Sequence, residues 1–207
     1  MSIANNTNKR WSASKVAKLA ILTAISFIFY LYVKFPLPIF PSFLDIQISE
    51  LPALIAGFMF GPVEGCVVII LKCLLKMPFS GTMLVGEFGD MLIGMVFVAS
   101  SSLLYRSSRT KRSAKSALTF GVLAVTFVGI LLNSFILIPF YVKFMFGGSW
   151  TPLLGMLRPI YPNITVENFF TYYIFLGVIP FNLLRGAIIA VLTFFVYKRV
   201  GVLFNKF

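Results

Sequence analysis

The sequence predicts an all-α integral membrane protein of six transmembrane helices with both termini in the cytoplasm, and three observations support this. Apolar residues make up 59% of the chain and charged ones only 12%, with a mean hydropathy of +0.95. A soluble domain has too little polar surface to cover so much apolar area. Twelve of the eighteen basic residues fall in three clusters: Lys9, Arg10, Lys15 and Lys18; Arg106, Arg109, Lys111, Arg112 and Lys115; Lys198, Arg199 and Lys206. Basic residues collect on the cytoplasmic side of membrane helices, so three clusters separated by apolar runs imply an even number of crossings. The third observation is the spacing of the runs, which closes the inside and outside bookkeeping only if two short segments after residue 49 both count as spans.

Residues 14–34 read as a retained first helix: a polar, basic start precedes it, no small-residue cleavage site follows it, and Lys34 with Pro36 ends it. Phe35 to Ile48 carries Pro36, Pro38 and Pro41 among aromatics, which favours extended or turn backbone and an ordered outer loop. Glu50 to Phe60 and Val63 to Leu75 are short apolar segments hinged at Gly61 and Pro62. Val85 to Tyr105, Ala117 to Tyr141 and Ile179 to Tyr197 complete the six. The whole of 1–207 is thus expected to be one membrane domain: a cytoplasmic segment 1–13, helices one to four within 14–105, a basic cytoplasmic loop 106–116, and helices five and six within 117–199. A long outer loop, 142–178, joins the last two. Its Trp150, Tyr161, Tyr172, Tyr173, Phe169 and Phe170 suit an outer membrane interface, with a short helix from Val166. No repeat of fixed period marks a second domain.

Several functions are excluded by what is missing. The chain has no histidine, so histidine-dependent nucleophilic catalysis and most zinc sites are closed to it, and no catalytic or metal-binding set is expected. It carries no phosphate-binding loop of the G-x-x-x-x-G-K-[ST] type and so does not hold ATP in that manner. The net charge of +12 belongs to span-flanking residues rather than to a basic face interleaved with aromatics, so nucleic acid is not an expected partner. Cys66 and Cys73 are seven residues apart on one helix, about 10 Å in rise, too far to pair.

Polar groups instead gather at one depth, the outer half of the bundle. Lys72 lies about a turn before the outer end of the third span, and Glu87 and Asp90 share a face just inside the outer end of the fourth. Asn133 sits in the outer half of the fifth, and Asn182 and Arg185 follow Pro180 at the outer start of the sixth. Structural roles are open to each: Lys72 can snorkel, Glu87 can start a helix, and Lys72 with Asp90 or Arg185 with Glu87 can pair. Ionisable groups inside a membrane are costly and face a cavity or one another, so six polar groups from four helices favour a pocket. An outer pocket walled by aromatics fits capture of a small, flat, hydrogen-bonding molecule. An autonomous small-solute transporter would need a polar path through the inner halves, which hold little besides Ser100 to Ser102.

The stretch F-P-L-P-I-F-P-S-F-L-D-I-Q-I-S-E-L-P-A-L-I-A-G-F-M-F-G-P-V-E-G from Phe35, with the later L-K-C-L-L-K and V-G-E-F-G-D-M-L-I-G, resembles the substrate-binding S components of energy-coupling factor (ECF) vitamin transporters. The likeness continues in Leu132-Asn133, Ile138-Pro139 and Ile179-Pro180-Phe181-Asn182-Leu183-Leu184-Arg185-Gly186, and it is greatest to the riboflavin-specific branch. The resemblance implies a protein of the cell membrane that binds a vitamin at its outer face, without a cofactor of its own. It also implies docking on a transmembrane coupling subunit driven by two cytoplasmic ATPases, with contact through an A-x-x-x-A motif matched here by Ala20 and Ala24. Carried over by position, Phe43, Leu44, Asp45 and Gln47 of the first outer loop line the ligand, and Asn133, Asn182 and Arg185 hydrogen-bond it; Lys72, Glu87 and Asp90 join the candidate site as intramembrane charges. Arg185 stands where riboflavin binders are expected to carry lysine, and Cys73 and Asp90 where they carry asparagine. Riboflavin is the first choice of ligand, with pantothenate, a hydroxymethylpyrimidine or another B-vitamin precursor as the nearest alternative.

Overall fold

The computed structural model describes residues 11–41 and 43–205, with side chains to residue 202. The basic residues Lys9, Arg10 and Lys206, and most of the expected segment 1–13, lie outside the described residues. Helix α1, Ala13–Tyr32, begins where the Ser12 hydroxyl accepts the Lys15 N–H at 3.3 Å, and it turns Leu19, Leu22, Thr23, Ser26 and Tyr30 inward. The three prolines that follow keep the chain out of helix, and a two-stranded antiparallel ribbon forms from β1, Lys34–Pro36, and β2, Asp45–Gln47. Alternation along β2 buries Ile46 against Phe40 and Phe181 and leaves Asp45 and Gln47 on the opposite face.

Helices α2, Glu50–Phe60, and α3, Pro62–Lys76, meet at Gly61, whose φ of 131° is closed to most side chains. Pro62 opens α3 at a position where its missing N–H costs nothing. The two helices pack backbone to backbone: a Cβ at Gly65 would stand 2.8 Å from the Ala53 carbonyl oxygen and 2.9 Å from the Gly57 Cα. Such close approach is how membrane helices gain contact without a hydrophobic driving force. Ala53, Leu54 and Ala56 are fully buried, because α2 is surrounded by α1, α3 and the long helices that contain Val85–Ser108 and Ile179–Asn205.

Helix α4, Val85–Ser108, and helix α5, Lys111–Met145, are joined by a tight turn through Arg109, and Thr110 caps α5 by accepting the Ser113 N–H at 3.0 Å. Helix α6 is the short Thr151–Leu157. Helix α7 starts at Phe169–Tyr172, widens over Tyr173–Val178 and continues as Ile179–Asn205. Among the described residues, four helices are long and apolar enough to cross a membrane: Ala13–Tyr32, Val85–Ser108, Lys111–Met145 and Phe169–Val202. The last two, 35 and 34 residues long, would each extend about 50 Å, well past a ~30 Å hydrocarbon core. The extra length rises beside the ribbon and walls the site.

Three expectations need correction here. The last three long helices run beyond Tyr105, Tyr141 and Tyr197, because helical hydrogen bonding continues after the apolar run ends. The short helix of the long connection is α6, and the stretch expected from Val166 is instead the beginning of α7. Tyr161, Phe169 and Tyr173, expected at a membrane interface, are buried in a second core with Ile138, Leu153, Leu157 and Val178, since residues 138–178 fold back on themselves. The Tyr161 hydroxyl donates to the Leu176 carbonyl at 3.0 Å, the carbonyl that Pro180, lacking an N–H, leaves without its i+4 donor, and burial raises the pKa of that phenol.

Ser101 and Ser102 are buried at helix contacts where Gly121 and Gly57 leave room for their hydroxyls. They mark close packing rather than a passage. At the same end Phe58 stacks on Tyr105 at 4.2 Å, with Tyr197 edge-on to both.

Candidate functional site

At the ribbon end, a cavity of about 380 Å³ opens between β2, α3, α4, α5 and α7. That volume lies in the range that encloses a drug-sized ligand. Phe43, Leu44, Asp45 and Gln47 line one side, Glu87 and Asp90 the second, and Asn133, Asn182 and Arg185 the third. Nine of the ten candidate binding residues therefore share one wall system.

Lys72 does not line it. The side chain is fully buried beneath the floor, with Nζ donating to Ser49 Oγ at 2.5 Å, 3.6 Å from Glu50 Oε1 and 4.8 Å from the centre of the Tyr30 ring. Neither pairing expected for the charged groups forms. Lys72 pairs with Glu50; Arg185 pairs with both Glu50 and Asp90, through Nη2 to Glu50 and at 3.2 Å from Nη1 and Nη2 to Asp90 Oδ1. Gln47 Nε2 donates to the other Asp90 oxygen. The expected pairings fail because Glu50, the first residue of α2, reaches in below the pocket and lies nearer both cations.

Glu87 is held by its own loop. Ser80 and Thr82 hydroxyls donate to Oε2 at 2.6 and 2.9 Å, and Lys76 lies 3.4 Å from Oε1. The carboxylate pins a turn in which Met83 and Leu84 take left-handed backbone, φ 53° and 70°. Its contribution to the cavity is to fix that rim.

The two asparagines behave alike. Asn133 Nδ2 donates to the Gly129 carbonyl and Asn182 Nδ2 to the Val178 carbonyl, each at 2.8 Å, which leaves each amide oxygen available as an acceptor. Tyr173 donates its hydroxyl to Asn133 Oδ1 at 2.7 Å. Gly129 makes this possible, since a Cβ there would sit 2.9 Å from Asn182 Nδ2.

Tyr30, Lys34, Lys76, Phe79, Thr82, Tyr141, Tyr173 and Phe181 also line the cavity, beyond the residues expected from sequence. Glu50 is a further participant that was not expected. The signal for Glu50 was available: a buried Lys72 requires a carboxylate, and Glu50 was the one left unassigned near that depth. The resulting wall offers acceptors at Asn133, Asn182 and Asp90, donors at Arg185 and Lys34, and flat apolar surfaces at Phe43, Phe181 and Leu137. Ala20 and Ala24 are far from this set, exposed on the outer face of α1 beside Ile21, Ile25 and Ile28.

Comparison with known proteins gives the family. Residues 14–197 match the family model described as the ECF transporter, substrate-specific component. The chain is similar to the riboflavin transporter RibU of Staphylococcus aureus (strain TCH60), 31% identical over 187 residues covering 90% of each chain. It is similar to the riboflavin transporter FmnP of Bacillus subtilis (strain 168), 25% identical over 90% of this chain and 91% of that one. Among solved structures it resembles the S component of a bacterial ECF transporter, with a TM-score of 0.68 and 30% identity, covering 91% of this chain and 96% of the other. The chain belongs to the substrate-specific components of ECF transporters, multi-pass membrane proteins that bind and deliver a substrate rather than transform one.

Proposed function

We propose that this protein is the riboflavin-binding S component of an ECF importer in the cell membrane. The observation that carries the reading is the convergence of Gln47, Asp90, Asn133, Asn182 and Arg185 on one cavity, in a chain whose relatives are named as riboflavin transporters. An isoalloxazine ring is flat on both faces and hydrogen-bonding along one edge. Apolar residues such as Phe43, Phe181 and Leu137 suit its faces, and the asparagine oxygens and the Arg185 guanidinium suit its edge.

The chain forms a single membrane domain of six spans, α1 to α5 and α7, with the ribbon end outside and both termini in the cytoplasm. The basic turn between α4 and α5 then lies inside, as the charge rule requires. A transmembrane coupling subunit docks along α1, where Ala20 and Ala24 leave a flat exposed strip, and two cytoplasmic ATPases supply the energy.

Titration of riboflavin fluorescence against the detergent-purified protein tests the ligand. Saturable quenching at one site per chain is the expected result. Absence of quenching, with saturable binding of pantothenate or a hydroxymethylpyrimidine instead, would replace riboflavin while leaving the family unchanged.

A further inference from the structure

We infer that Glu50 is a positioning residue for the ligand-facing Arg185, a reading that rests on the pocket assigned above. Glu50 is 1% exposed and does not line the main cavity. Its Oε1 nonetheless accepts from Arg185 Nη2 while lying 3.6 Å from Lys72 Nζ, so one carboxylate oxygen ties the guanidinium to the buried lysine of α3.

Arg185 has five N–H donors in a rigid plane. Asp90 alone holds that plane poorly, because both contacts, at 3.2 Å, go to the same oxygen, Oδ1, which acts as a pivot. The bond from Nη2 to Glu50 supplies a second fixed point on a different helix. With both in place the plane cannot swing, and the donors left over on Nη1 and Nε keep a fixed direction in a side chain that lines the cavity.

A second feature extends the role. Among the described residues Glu50 Oε2 is buried without a hydrogen-bond partner, and Glu50 borders a separate chamber of about 10 Å³, lined also by Asn182 and Arg185. That is close to the least volume that holds one water, and the polar groups such a water requires are present. Glu50 thereby stands beneath two of the ligand-facing residues of α7.

Positioning is separable from simple charge balance. Lys72 and Arg185 carry two positive charges against Glu50 and Asp90. Glu50→Gln leaves the floor with one excess positive charge, whereas Glu50→Gln with Lys72→Met restores neutrality and keeps the Asp90 to Arg185 contact. Riboflavin fluorescence titration and thermal unfolding are measured on wild type and both variants in detergent. Glu50→Gln is expected to weaken binding by about 10-fold or more, the order associated with truncating a buried partner of a binding charge. The double variant should recover unfolding temperature toward wild type while its affinity stays reduced. Should Glu50→Gln fail to fold, the double variant decides alone. A double variant that binds like wild type would show Glu50 to be a charge counterweight only, and a Glu50→Gln that binds like wild type would remove any role; either overturns the inference. A wild type that leaves riboflavin fluorescence unchanged overturns the reading of the pocket and this inference together.

Discussion

Replacing Arg185 by alanine puts the floor of the cavity under the sharpest test. From sequence alone the change looks like a binding defect with little effect on assembly. The structure says otherwise, because Arg185 closes a network with Glu50 and Asp90 in which Glu50 has 2% side-chain exposure and Asp90 15%. Among the described residues, alanine leaves Asp90 without an ion-pair partner and Glu50 with Lys72 alone. Removing one partner of a buried ion pair costs about 3–5 kcal/mol. Asp90 keeps the Gln47 bond and faces the cavity, so it can regain water, which places the expected loss at the lower end, about 3 kcal/mol. For a chain of this size that is a fall of about 6–12 °C in unfolding temperature. Riboflavin affinity should fall as well, by about 1–3 kcal/mol or roughly 5- to 150-fold, for the donors lost at the ring edge. The assay is thermal unfolding in detergent alongside fluorescence titration, with Arg185→Ala/Glu50→Gln as the control. Removing both signs should return part of the unfolding temperature and none of the affinity. An Arg185→Ala protein that unfolds within about 2 °C of wild type would mean that the network contributes under 1 kcal/mol and is solvated, which refutes the closed-floor argument.

Tyr173→Phe removes the hydroxyl that reaches Asn133 Oδ1 at 2.7 Å. The stranded buried oxygen should cost about 1–3 kcal/mol in unfolding free energy, measured by denaturant titration in detergent, and a wild-type value would mean that water replaces the phenol. Gly65→Val drives new carbons into the α2 backbone 2.8–2.9 Å away; a loss of about 1–3 kcal/mol or more is expected, and wild-type stability would show that the two helices do not touch. Leucine at both Ala20 and Ala24 should leave riboflavin binding unchanged and abolish uptake when the chain is reconstituted with its coupling subunit and ATPases. Unimpaired uptake would move the docking surface elsewhere.

Much of the site was legible in the sequence for one physical reason: membrane interiors penalise unpaired polar groups, so Asp90, Asn133, Asn182 and Arg185 had to face one another or a cavity. The loop residues Phe43 to Gln47 came from resemblance, and alternation along β2 explains why Asp45 and Gln47 share the cavity face. Lys72 and Glu87 lie at the expected depth but take other partners than expected, Glu50 for Lys72 and Lys76, Ser80 and Thr82 for Glu87, because depth does not say which carboxylate a cation reaches. Glu50 was overlooked because an acid at a helix start already has a reason to be there, and its burial comes from α2 lying at the centre of the bundle. The buried tyrosines were misplaced because a tyrosine near a span end fits an interface belt equally well until the fold of residues 138–178 is known.

The prolines of the two long helices explain what uniform helical periodicity could not. Helix α5 widens over Asn133–Leu137 just before Pro139, and α7 over Tyr173–Val178 just before Pro180. A proline ring crowds the carbonyl four residues back and offers no N–H, and a widened turn relieves both by taking up about one extra residue. At about 100° per residue, Tyr173 and Arg185, twelve positions apart, would diverge by about 120° on a regular helix; one residue absorbed in the wide turn reduces that to about 20°. Asn133 and Tyr141, eight apart, fall from about 80° to about 20° by the same reasoning. All four residues line the one cavity. The prolines that look like interruptions of two spans therefore accompany the wide turns that rotate the polar and aromatic groups on either side of them onto a single face of the cavity.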